Sequence, residues 1–416
     1  MLILLAVAHL AAAVDRAIPS VVAPLIRAEL ALSDQAIGAL QGPAFAALYA
    51  ITLLIAADWM RRFDAHWLAA GAVLVWTAGG LLFALAPTYL GLVCGRVLLG
   101  MGQAAFIPAA LLMIGHETST ARRARGLSMF TAGSAAGRSV ALLIGGLILS
   151  ILGPQIALGF TSWRITGIVM VLPNLIVAAL LLQAGSWKHL RLRRGLGLSD
   201  ALQAVAADPG RLISLALVCS GTVLVGQAAG AWAPSILHRN FGLDVHASAV
   251  AFGAVVLVFA PAGHILAGWL AGDRRWRIPL DRIMVWSLIA AGGCSAALAL
   301  DVDVTVASTA LIGLTLTSGV ATGVGMILFQ SQIDVPLRGS VSALLLILTS
   351  TLGVGAGPWI TGLLSDALGR DEHLPWALSM TIAIVILAVA LLVGIFGGRW
   401  RAFALPPSSV SGGGRE

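Results

Sequence analysis

Four ionisable residues, Asp15, Arg16, Arg96 and Arg138, stand inside otherwise apolar stretches of this 416-residue chain. A charge at the centre of a bilayer costs about 2.5–3.5 kcal/mol on insertion scales, so each requires a partner or a water-filled cavity. At about 1.5 Å per helical residue, Asp15 and Arg16 lie roughly 20 Å into the first apolar run and Arg138 roughly 21 Å into the fifth; Arg96 lies about 12 Å into the fourth, which travels the opposite way. All four therefore share one layer, central to slightly outward. Three guanidiniums against one carboxylate leave that layer positive, and a guanidinium matches carboxylate or phosphate geometry bidentately. The expected chemistry is anion binding by Arg16 and Arg138, with Arg96 ordering the site and Asp15 as the group that exchanges a proton. Asp15 and Arg16 are about 100° apart around a helix, so one lines the cavity while the other pairs with the fourth or fifth helix. Arg96 has a second reading, in which it ties its helix to backbone carbonyls. Asp15 is the one evident acidic partner for Arg138.

The later half of the chain has no comparable central charge. Its polar candidates are Gln227, Trp232, His264, Gln330 and Gln332, of which Gln227 and Trp232 are expected to complete the substrate contacts. His9, about two turns before Asp15, is placed to join a proton path, but a lone histidine on an apolar helix is read first as packed or hydrogen-bonded, and His264 likewise. Cys94, Cys219 and Cys294 each fall within an apolar run and read as packing residues. The chain has no Walker loop, no dinucleotide fingerprint after a strand, no HExxH and no cysteine-rich metal spacing. Neither catalysis nor a cofactor is expected.

The elements that must position these residues follow from composition. Hydrophobic residues make up 59% and charged residues 10% of the chain, with mean hydropathy +0.97; a soluble domain has about 25% charged residues. Six per cent aromatics with two tyrosines lack the girdles of a membrane β-barrel. Runs of about 20 apolar residues, enough to cross a hydrocarbon core, occur near 2–26, 36–58, 67–86, 88–114, 124–151 and 163–184. Six more follow near 211–237, 245–271, 281–300, 304–330, 337–366 and 373–396. The first lacks a basic leader and a small-residue cleavage site and is read as a retained helix. The expected organisation is a six-helix bundle over 1–186, a cytoplasmic linker over 187–210, a second bundle over 211–396 and an unstructured cytoplasmic tail over 397–416.

Net charge is +7, which in a soluble protein would suggest nucleic acid. Here the basic residues sit in short loops, and membrane orientation explains them. Counting loops alternately from a cytoplasmic N-terminus, 18 of the 25 Lys and Arg fall on the cytoplasmic side and four, Arg27, Arg164, Arg239 and Arg370, on the other. Both termini are expected to be cytoplasmic, in a bacterial inner membrane, with the lipid bilayer as partner and no nucleic acid. The halves also match: AADWMRR ends the second run and AGWLAGDRR the eighth, and AGSAAGRSVALLIGG in the fifth answers TLGVGAGPWITG in the eleventh. Parallel six-helix repeats with substrate at the midplane describe a major facilitator architecture.

LSDQAIGALQGPAFAALYA, following a helix with the Asp15–Arg16 pair, resembles the Spinster-like branch of that superfamily, as do RVLLGMGQAAFIPAALLMI, RRARGLSMF, SWRITGIVMVLP, GAWAPSILHRNFGL and LRGSVSALLLILTSTLGVGAGPWITGLLSDALG. The resemblance spans about residues 5–396. It implies an all-α, twelve-helix fold, alternating access, a monomer and, from animal members, lysophospholipid or sphingoid phosphate substrates. The related anion-cation symporters share part of the pattern and make a small-carboxylate symporter the alternative; a non-transporting sensor or scaffold is a third reading. Gln103 stands where the family's fourth helix has an acid that, with the helix 1 Asp, is taken to serve proton coupling. Arg61 occupies an Asp place in the loop after the second helix, Arg62 keeps its Arg, and Ala65 and His66 replace later basic residues. His116 replaces an acid, leaving Asp58, Asp64 or Glu117 as substitutes. The resemblance implies a cytoplasmic gate of Arg61, Arg62, Arg123, Asp273 and Arg338.

Overall fold

In lipid no water completes backbone hydrogen bonds, so apolar runs fold as helices that satisfy their own N–H and C=O groups. The computed structural model describes all residues except 1, 117–118, 154–158, 184–189, 192–197, 273–277, 301, 334–337, 370 and 405–416. Its first six membrane-type helices are α1 (Leu2–Leu30), α2 (Asp34–Arg62, broken near Gly42 and Leu48), α3 (Ala65–Leu85), α4 (Tyr89–Gly115), α5 (Thr120–Leu152) and α6 (Ser162–Leu182). The rest are α7 (Pro209–Phe241), α8 (Val245–Gly272), α9 (Leu280–Leu298), α10 (Val304–Ser331), α11 (Arg338–Leu348 continuing through Ala367) and α12 (Leu374–Ala404). Eleven are long and apolar enough to cross a membrane. The exception, α9, opens with Asp281 and Arg282 and is packed between α10 and α12. The interruptions hold capping residues: Ser33, Thr88, Ser119, Asp208 and Asp303 accept first-turn N–H groups of α2, α4, α5, α7 and α10.

Packing repeats between the halves. In the first, α1 lies on α5, α3 on α4 and α6, and α2 on α4; in the second, α7 lies on α11, α9 on α10 and α12, and α8 on α10. Two boundaries differ from expectation. Residues 397–404 continue α12 instead of beginning a tail, with Trp400 fully buried. Within the linker, Leu198–Ala207 is helical, and Leu190 and Arg191 bind the α2–α3 turn through Ala65 N–H to Leu190 O (2.8 Å) and Arg191 Nε to Asp64 Oδ1 (2.7 Å).

The halves meet along α5–α8, α2–α11 and α1–α7. Glycines permit the α2–α11 approach. A side chain at Gly42 would collide with the Gly355 carbonyl and one at Gly38 with the Pro358 carbonyl, so these backbones touch directly, as small residues allow in lipid. Beside the crossing, Thr349–Val354 of α11 forms a π-helical turn. Leu2 and Ala404 lie on the same face of the twelve-helix array, the terminal face below; the α2–α11 crossing at Gly38, Gly42 and Gly362 lies toward the other.

Candidate functional site

Pro19 shapes the centre of the first half. A proline has no N–H to donate to the carbonyl four residues earlier, so Asp15 O loses its helical partner. Arg96 fills that place from α4: its Nη1 donates to Asp15 O (3.5 Å), Nη2 to Arg16 O (3.3 Å) and Nε to Leu40 O (2.9 Å). Arg96 is 1% exposed and is not among the residues that line either of the midplane cavities described below. Its geometry is therefore that of a cross-brace joining α1, α2 and α4.

Adjacent Asp15 and Arg16 separate as their angular offset requires. Asp15, 1% exposed, turns toward α6, where its Oδ2 accepts from Asn174 Nδ2 at 2.6 Å. Arg16 turns to the inter-half cavity, and its Nε and Nη2 donate to Gln103 Oε1 at 3.2 and 3.0 Å. Gln103 in turn donates from Nε2 to Ala12 O at 2.7 Å, which fixes the amide and points its oxygen at the guanidinium. Phe45 meets both cations, with Arg16 Cζ 5.0 Å and Arg96 Cζ 5.6 Å from its ring centre, both within cation–π range. Asn174, Phe45 and Pro19 are structural partners that sequence reading missed; Pro19, four residues after Asp15, was the available signal.

Arg138 meets Gln227 of α7 across the midline, with Nη2 donating to Gln227 Oε1; this is the partner, rather than Asp15, that the structure supplies. On one side of the pair is a cavity of about 220 Å³ lined by Arg16, Ser20, Gln41 and Ser134 with α7, α8 and α11 opposite. On the other side is one of about 200 Å³, lined from α7, α8 and α10. Both share Arg138, Gln227, Val256 and Ala260, so they are two adjacent chambers with the Arg138–Gln227 pair on their common wall. No carboxylate is among the lining residues of either. Trp232 is not brought to it: fully buried, it donates from Nε1 to Pro358 O at 2.9 Å and fastens α7 to α11. Gln330 bonds Ser342, and Gln332 bonds Trp400 O. His9 bonds Phe130 O through Nδ1 (2.9 Å) and stacks on its ring, which is the packed reading. The three cysteines are free.

Of the residues expected as a gate on the terminal face, several are described. Arg62 pairs within its own helix with Asp58 at 2.7 Å, and Arg61 and Arg123 are exposed. Asp58 and Asp64 are thus engaged with Arg62 and Arg191 within the first half and its linker. The position of Arg338 opens α11; Asp273 and Glu117 lie outside the described residues. A charge cluster joining the halves sits on the opposite face. Asp34 at the start of α2 is fully buried and receives Arg239 of α7 through both Nη groups, each at 2.8 Å. Arg27 Nε forms an ion pair with it at 3.3 Å, and Ser365 Oγ of α11 donates to it at 2.7 Å. Asp366, next to Ser365, accepts the Asp34 and Gln35 N–H groups at 3.1 and 2.9 Å, so an acid of one half caps a helix of the other. Nearby, Glu29 binds Arg164, Trp163 and Thr161. Arg27, Arg164 and Arg239, read from sequence as orientation signals, are all paired structural residues.

Two six-helix halves around a polar midplane chamber, with a buried charge cluster joining them on one face, are the architecture of a membrane transporter. The chain belongs to the Major Facilitator Superfamily, whose family model matches residues 5–353. It is 26% identical over 404 residues, 93% of this chain and 90% of the relative, to an MFS-type efflux pump of Mycolicibacterium smegmatis (strain ATCC 700084 / mc(2)155). A crystal structure of a bacterial homolog to the human lysosomal transporter Spinster, in an inward-facing and occupied conformation, superposes with TM-score 0.83 at 22% identity over 98% of both chains. The inward-facing, unoccupied conformation gives 0.79 at 20% identity, covering 97% of this chain and 96% of that one. The protein is a multi-pass integral membrane transporter of the inner-membrane type, not an enzyme, and handles a small-molecule substrate within the bilayer.

Proposed function

We propose that the chain is an alternating-access secondary transporter of an organic anion, working as a monomer with both termini in the cytoplasm. The observation that carries this reading is the chamber lined by Arg16 and Arg138, two guanidiniums with no lining carboxylate to neutralise them. Each is held through a neutral glutamine amide, which orients it and leaves its charge for a ligand. Contacts gathered on the face away from the termini, through Asp34, Arg239 and the α2–α11 glycines, support a state open toward the terminal face, as in the Spinster homolog's inward-facing structures. Proton linkage through Asp15 is part of the proposal: it is the central layer's one carboxyl, buried and bonded to Asn174 of α6, apart from the guanidiniums that line the chamber.

The sequence leaves open an amphipathic lipid-like anion, such as a lysolipid or sphingoid phosphate, and a small carboxylate. The seams through which a lipid would enter are tight, since Gly253 of α8 lies against Leu142 and Leu143 of α5, and α2 against α11 at Gly38 and Gly42. That favours the compact anion. Reconstituted in proteoliposomes, Arg138→Ala is expected to weaken transport of organic phosphates or carboxylates at least tenfold, and Asp15→Asn to abolish the pH dependence of transport. Unchanged substrate affinity in the first variant removes Arg138 from the site, and unchanged pH dependence in the second removes the coupling role.

A further inference from the structure

The chamber beyond the Arg138–Gln227 pair differs in chemistry from the one that holds Arg16. Its lining includes no charged residue other than Arg138 itself. On α10 it presents Thr315, Ser318, Gly319 and Thr322, spaced i, i+3, i+4 and i+7, which places them on one helical face. His264 of α8 faces the same space. The three hydroxyls have already used their protons: Thr315 donates to Leu311 O at 2.7 Å, Ser318 to Thr315 O at 3.1 Å and Thr322 to Thr222 O at 3.3 Å. A hydroxyl carries one donor and two acceptor lone pairs, so what this stripe offers a ligand is acceptors. The matching ligand group is a donor. An ammonium would enter without a carboxylate to balance it and beside the Arg138 cation, which desolvation and like-charge repulsion oppose. A neutral hydroxyl meets neither cost.

We propose that the second chamber is a hydroxyl-recognition subsite, so that the transported compound is a hydroxylated organic anion. Its anionic group lies between Arg16 and Arg138, and a hydroxyl reaches the Thr315–Ser318–Thr322 stripe, with His264 as the facing hydrogen-bond partner. Ala260 and Val256 of α8 border both chambers, and His264 is one turn beyond Ala260, roughly 6 Å along the helix. The ligand therefore spans several bonds between its charge and its hydroxyl. The inference rests on the anion reading above.

The test uses the full chain in detergent and two phosphates that differ by one group, n-hexyl phosphate and 6-hydroxyhexyl phosphate, with hexanoate and 6-hydroxyhexanoate as the carboxylate arm. Affinity is read by calorimetry. The hydroxylated member of each pair is expected to bind about tenfold more tightly, the scale of one or two hydrogen bonds to neutral groups. Thr322→Val with Ser318→Ala is expected to reduce that ratio to near one while leaving n-hexyl phosphate affinity unchanged, a readout that also shows the variant is folded. His264→Phe is expected to lower the ratio by itself. Arg138→Gln weakens all four ligands alike. Equal binding of the paired ligands by the unmodified protein, or a preference that survives the α10 double variant, overturns the subsite and leaves the anion reading standing. If none of the four binds, or Arg138→Gln has no effect, the anion reading fails and the subsite fails with it.

Discussion

Gln103 accepts two hydrogen bonds from Arg16 and fixes its own amide on Ala12 O, so the cation is oriented without being neutralised. Replacing it by an acid reverses that. Gln103→Glu is expected to draw Arg16 into an ion pair and lower n-hexyl phosphate affinity about tenfold, since charge-assisted pairs are roughly twice as strong as neutral hydrogen bonds; competition binding measures it. Arg96 predicts something else. Its planar fork spans three carbonyls on two helices, one of them left without a helical donor by Pro19, and a lysine ammonium cannot reproduce that fork. Arg96→Lys is expected to lose about 2 kcal/mol or more of stability, seen as faster thermal inactivation in detergent, with little effect on anion affinity of the folded fraction. Presence in the central layer was legible from residue type alone. Division of labour within it was not, because the angle of each side chain around its helix fixes a direction but not the neighbour found there.

At the scale of elements, the seal between α2, α7 and α11 depends on one buried acid. Breaking a buried pair from one side costs about 3–5 kcal/mol, and here that cost falls on the state in which the halves meet on the face away from the termini. Asp34→Asn is expected to shift the population toward the opposite opening, measured as lengthened distances between spin labels on the α1–α2 and α7–α8 turns. Unchanged distances would assign Asp34 a role in folding only. The start of α7 gives a pH prediction on the terminal face. Asp208 caps the helix and bonds Arg211 Nε at 2.8 Å, and this contact holds its carboxyl below the usual range. A lowered folded-state pKa adds stability that is present above the unfolded value and lost as pH falls through the folded one. First-turn amides of α7 should therefore stay protected at pH 5 to 7 and fray in stronger acid, while Asp208→Ala frays throughout, by hydrogen exchange corrected for its intrinsic rate. The sequence placed Asp34 in a recognisable segment and Arg239 at a loop, yet their pairing spans 205 residues and the Ser365 bond 331.

At the scale of the whole molecule, α1 packs on α5 in one half and α7 on α11 in the other, and the alternating-access proposal has each half move as a unit around the chamber between them. A cysteine at Ser20, which lines the chamber, is expected to react with a membrane-impermeant thiol reagent from the side of the termini, once the native cysteines are replaced. Combined with Asp34→Asn, it should become reactive from the other side as well. Labelling of the first variant from the far side alone would overturn the reading that the chamber opens toward the terminal face.

The sequence by itself determined the solvent, the number of apolar runs, the twofold repeat and the layer of charge at mid-depth. Those are consequences of composition and spacing along one dimension, imposed by the bilayer on any chain of this kind. Tertiary structure decided which guanidinium braces and which faces the cavity, that Arg138 meets Gln227 across the halves, that Trp232 fastens helices, and that the described charge lock lies away from the terminal arginines. Each of these depends on side chains far apart in sequence meeting at hydrogen-bond distance, and a register of helix against helix is fixed by close packing of small residues such as Gly38 and Gly42, not by hydropathy.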